Sequence, residues 1–78
     1  MKVTVIGKFR KQGVSRKTGE VYDICNVYVT HPLRGAEGLV SERVSLNPTQ
    51  YDFDGIQIGK SYNLVYDANG YLMDFSLI

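Results

Sequence analysis

Apolar and polar residues alternate with a period of two along most of this chain, and Gly, Pro or Asn breaks the alternation between segments. A strand sends successive side chains to opposite faces, so the pattern specifies half-buried β-strands. No stretch carries the three-to-four spacing of an amphipathic helix of useful length. In the first segment Val3, Val5 and Phe9 share one parity, with Gly7 between them. Lys2, Thr4, Lys8 and Arg10 take the other, together with Ile6. A glycine in mid-strand marks a bend or bulge where a sheet curls.

From Gln12 to Gly19 the chain is polar, with a Gly near each end, and reads as a hairpin tip or a wider loop. The second strand, Glu20 to Thr30, has Val21, Cys25, Val27 and Val29 on one parity, interrupted by Asp23. Tyr22, Ile24 and Tyr28 lie on the other, with Asn26. Both faces are therefore partly apolar. Either the strand is covered on both sides or one face displays rings. His31-Pro32 ends it, because Pro removes a ladder donor. In a third strand Val40, Val44 and Leu46 are expected to point inward. Asn47-Pro48 opens at most one helical turn. Ser61 to Tyr66 makes a fourth strand, and Asp67-Ala68-Asn69-Gly70 a tight turn. Tyr71, Met73, Phe75 and Leu77 then alternate as a fifth. The expectation is one all-β domain spanning 1–78, a small five-stranded antiparallel barrel with a small core.

Composition narrows the functional classes. Apolar residues at 44% and charged residues at 22% describe an ordinary globular chain. No apolar run approaches the ~20 residues of a membrane-spanning helix. MKVTVIGKF lacks the layout of a signal peptide. A lone cysteine, Cys25, makes no internal disulfide, and a reducing cytoplasm is the expected setting. Enzyme chemistry has little to work with. His31 is the only histidine and has no second ligand in view, so no metal is expected. Cys25 reads as a small buried hydrophobe rather than a nucleophile. Asp52 and Asp54 read as a solvated loop rather than an acid–base pair. No glycine-rich phosphate loop is present. The expectation is a non-enzymatic protein without a cofactor or a small-molecule substrate.

Charge placement carries more than net charge, which is only +1. Residues 1–20 hold six cations against Glu20 alone, whereas residues 51–78 hold four aspartates against Lys60. An anionic partner at the basic end is one reading, and a pair of solvated faces is the other. Lys8, Arg10, Lys11, Arg16 and Lys17 are candidate phosphate contacts, each releasing counterions on binding. Tyr22, Ile24 and Tyr28 are candidate surfaces for unpaired bases, with Tyr28 open to either a core or an exposed role. Duplex DNA hides base faces, so rings among cations favour single-stranded nucleic acid. Tyr62, Tyr66, Tyr71 and Phe75 are expected in the core or at an interface. A second reading is a small β-barrel adaptor that binds protein through an exposed strand edge, including a second copy of itself.

Gly13-Val14-Ser15-Arg16, then Gly19, then Tyr22 followed by Ile24, resembles the first hairpin of the single-stranded DNA-binding replication proteins of filamentous phages. The resemblance is confined mainly to residues 13–24, and the turn here is one residue longer. It implies a five-stranded barrel of the oligonucleotide-binding (OB) type, acting as a dimer in DNA replication. It further implies that Arg16 contacts phosphate, that Tyr22 stacks a base and that Ile24 flanks it. The family's second loop, with its aromatic tip, has no counterpart: Asp67-Ala68-Asn69-Gly70 is short and carries no ring.

Overall fold

The computed structural model describes all 78 residues. Five strands follow in chain order: β1 (Lys2–Val14), β2 (Val21–Pro32), β3 (Leu39–Leu46), β4 (Ser61–Tyr66) and β5 (Leu72–Leu77). They form one antiparallel sheet in the order β3-β2-β1-β4-β5. No ladder joins β3 to β5, so the sheet is open and those two strands are its edges. No helix long and apolar enough to cross a membrane is present.

One face of the sheet carries the core. Val3 and Val5 of β1, Cys25, Val27 and Val29 of β2, Val44 and Leu46 of β3, Tyr62 and Leu64 of β4 and Phe75 of β5 are buried there, with Phe53 and Ile56 from the segment between β3 and β4. A fully buried aliphatic side chain contributes roughly 1.5–3 kcal/mol, so this row of valines and leucines dominates the fold's stability. Tyr62 stacks on Phe75 with ring centroids 4.8 Å apart, and its hydroxyl accepts from the Gln57 amide at 2.9 Å. Asn47 closes the single turn expected after β3, its carbonyl accepting from Gln50 and Tyr51.

Two irregularities reset the alternation. In β1, Val5 pairs with Val29 but Gly7 pairs with Tyr28, so Ile6 is the extra residue of a bulge. Parity then inverts. Lys8 stands opposite buried Val27 and Arg10 opposite buried Cys25, on the core side. Phe9 turns out and is 49% exposed. The expected face of Val3, Val5 and Phe9 is therefore corrected: Phe9 leaves it, and Lys8 and Arg10 enter it. In β5, Asp74 pairs with Val65 and Leu72 with Tyr66, leaving Met73 as the extra residue. Of the alternating residues Tyr71, Met73, Phe75 and Leu77 only Phe75 is buried, and of the four rings expected in the core or at an interface Tyr62 and Phe75 are buried whereas Tyr66 and Tyr71 are exposed.

β1 and β2 outrun their neighbours. β4 pairs with β1 only at Lys2–Thr4, and β3 reaches β2 only as far as Cys25. Residues 11–14 and 21–24 therefore pair only with each other, and this arm accompanies a long axis of 44 Å against 25 and 22 Å for the other two. At its tip the Gly19 amide donates to the Ser15 carbonyl at 2.8 Å, and the Ser15 amide donates to that of Glu20. Gly19 sits at φ 72°, a left-handed geometry that suits glycine, and leaves Arg16 and Lys17 on the exposed apex.

Candidate functional site

The face opposite the core is built from short cross-strand rows. Gly7, Tyr28 and Arg43 form one row, and Phe9, Asn26 and Ser45 the next. Farther along the arm come Lys11 with Ile24 and Gly13 with Tyr22. Four of the residues expected to bind, Lys11, Tyr22, Ile24 and Tyr28, therefore share one side of the hairpin. Ile24 is 45% and Tyr28 38% exposed, which settles Tyr28 as a surface ring. Arg16 and Lys17 lie beyond the end of this face.

Tyr22 is held in a particular way. A Cβ added at Gly13 would come within 2.6 Å of its hydroxyl and 2.8 Å of its Cζ, so the ring crosses bare backbone there. Such cover of a strand glycine by a cross-strand ring holds one ring face against the backbone, and Tyr22 is half-buried as a result. Tyr28 behaves differently. A Cβ at Gly7, its opposite number, would meet nothing within 4 Å, so the space beside it is open.

Lys8 and Arg10 belong to the other face. The Lys8 ammonium donates to the carbonyls of Phe53 (3.2 Å), Asp54 (3.2 Å) and Ile56 (3.0 Å), and it lies 5.2 Å from the centre of the Phe53 ring. Arg10 grips Asp23 with two bonds, Nε to Oδ1 at 3.1 Å and Nη2 to Oδ2 at 2.9 Å, and Gln12 adds a third at 3.2 Å. Asp54 lies 3.8 Å from the same guanidinium. Donation from Arg10 holds the Asp23 carboxyl below the usual carboxylate range. These two cations thus tie the hairpin to the segment between β3 and β4.

Other reactive groups are engaged in the same structural manner. The Cys25 thiol is pushed up, first by burial and then by Asp23, to which its Sγ lies at 3.6 Å. His31 is buried, with Nδ1 3.0 Å from the Pro32 carbonyl and Nε2 3.0 Å from Glu42 Oε2. No group of three or more His, Cys, Asp or Glu side chains converges. A cleft of about 210 Å³ on the core side is lined mainly by Tyr51, Ile56, Tyr62, Phe75 and Leu77. It offers one carboxylate, that of Asp52, and no cation.

Comparison with known protein families, curated proteins and solved structures finds no match for this chain. Two residues of the outer face lie outside the set expected from sequence. Phe9 was masked by the inverted parity, for which Gly7 is the only trace. Arg43 is placed by its register against Tyr28, which depends on a pairing between separate strands and leaves no local signal.

Proposed function

We propose that this protein binds single-stranded nucleic acid across the outer face of its β1–β2 hairpin, as a non-enzymatic module of the OB barrel type. The observation that carries the reading is the convergence of Tyr22, Ile24, Tyr28 and Phe9 with Lys11 and Arg43 on one exposed face, ending at Arg16 and Lys17. Rings supply stacking that tolerates any base, and the cations follow a phosphate backbone. Strand order supports the barrel. Bringing β3 and β5 together would turn β3-β2-β1-β4-β5 into the closed ring of a small five-stranded barrel. The resemblance at residues 13–24 points the same way. A second copy is the proposed cover for the open β5 edge, which Tyr71, Met73 and Leu77 flank as exposed apolar residues.

Lys8 and Arg10 take no part in this binding scheme, because their donors are already engaged within the chain. Lys11, Arg16, Lys17 and Arg43 remain. If each neutralises one phosphate, log affinity for oligothymidine falls against log salt with a slope of about −3. Fluorescence polarisation over a salt series measures it. Arg16→Ala should reduce the slope by about 0.7, while Tyr22→Ala should weaken binding by about 1–3 kcal/mol at an unchanged slope. Absence of binding, or affinity indifferent to salt, overturns the reading.

A further inference from the structure

Four residues at the junction of the hairpin and β3 form a square on the outer face. Gly7 pairs with Tyr28 and Phe9 with Asn26, so Phe9 and Tyr28 occupy one diagonal and Gly7 and Asn26 the other. Diagonal neighbours on adjacent strands stand about 7–8 Å apart. Aromatic side chains at such positions can flank one flat ring between them. Nothing fills the gap from the Gly7 corner, where an added Cβ would find open space.

Asn26 is the unusual member. It lies on an otherwise exposed face yet is only 8% exposed itself. Its Oδ1 accepts from the Ser45 hydroxyl at 3.2 Å, which turns the amide oxygen toward β3. The Nδ2 group has no partner within the chain, and it is not sealed from solvent. A nearly buried amide with its acceptor occupied and its donors free is a fixed hydrogen-bond donor. Turned this way, the amide offers an incoming group its N–H bonds, and its oxygen stays on the β3 side.

Resting on the nucleic-acid reading, we propose that this square is a base-reading slot selective for keto bases. In this proposal a base inserted between Phe9 and Tyr28 enters with its C4 or C6 substituent toward the sheet, where Asn26 Nδ2 donates to it. Thymine and uracil offer O4 and guanine offers O6, whereas adenine and cytosine present an amine at the corresponding position. In that orientation an amine against the amide N–H sets two donors face to face. Stacking supplies affinity for any base, and Asn26 supplies the choice between them.

Oligothymidine and oligocytidylate of equal length test this directly, because the two bases match in size. Polarisation titrations at one salt concentration should give about two- to tenfold tighter binding of oligothymidine, the factor one net hydrogen bond supplies. Asn26→Leu should bring the two affinities together. Ser45→Ala, which leaves Asn26 in place but frees its amide to rotate, should narrow the ratio as well, and it decides the matter if Asn26→Leu does not fold. Equal wild-type affinity for the two oligonucleotides overturns the slot while leaving nucleic-acid binding intact, as does a ratio unchanged in either variant. Failure to bind both oligonucleotides overturns the underlying reading instead.

Discussion

Tyr22 sits on a two-stranded arm with no core behind it, so what orients its ring is local. Gly13 provides the surface on which the ring lies. Gly13 does not adopt a positive φ, so its backbone accepts a side chain without strain. Gly13→Ala would place a methyl group where the ring now sits, and the cheapest response is for the tyrosine to swing away. Folding should barely notice, since surface changes of this kind stay within about 0.5 kcal/mol. Oligothymidine affinity should fall by a large part of the Tyr22→Ala loss, because the platform is no longer pre-set. Thermal melting and polarisation on the same sample separate the two effects. Unchanged affinity would mean that the ring's pose against Gly13 does not matter for binding.

All five strands were legible as elements, because period-two alternation and turn residues are local signals. What the alternation could not carry was the position of the extra residue. Gly7 announced an irregularity, but the bulge falls at Ile6, and every side chain beyond it changed face. Phe9 thereby became a surface ring, and Lys8 became a clamp on the segment between β3 and β4. Arg43 and the ties from Lys8 were illegible for another reason: they join elements far apart in the chain. Lys8→Met keeps the apolar stem and removes the donors to Phe53, Asp54 and Ile56. Those carbonyls are in part reached by water, so a loss of about 1–3 kcal/mol in urea unfolding is expected. The slope of oligothymidine affinity against salt should not change. A slope reduced by about 0.7 would return Lys8 to the phosphate contacts.

Over the whole molecule, two titrating groups bracket the pH range of greatest stability. Asp23 has a depressed folded-state pKa, owing first to donation from Arg10, so its stabilisation is complete above its unfolded value near 3.8. That stabilisation disappears as pH falls through the folded value. His31 works in the opposite direction. Both ring nitrogens face acceptors, Pro32 O and Glu42 Oε2, and only the protonated imidazolium donates to both. Its pKa is raised by the Pro32 carbonyl first and by Glu42 next, against the opposing effect of burial. A raised folded value means stabilisation that is complete below the unfolded value near 6.5 and is lost as pH climbs through the folded one. Urea midpoints should therefore be highest between about pH 4 and 6.5 and decline on both sides. His31 joins β2 to the edge strand β3, so its deprotonation loosens the pairing that places Arg43 beside Tyr28. Replacing it, as His31→Gln, should flatten the decline between pH 6.5 and 8.5 while leaving the acid side intact. Because His31 is the only histidine, its ring proton resonance reports the folded pKa without overlap. A midpoint that rises from pH 6 to 8, or a ring that titrates below the ordinary value, would show that the imidazole is held neutral and that this link between β2 and β3 is not ionic.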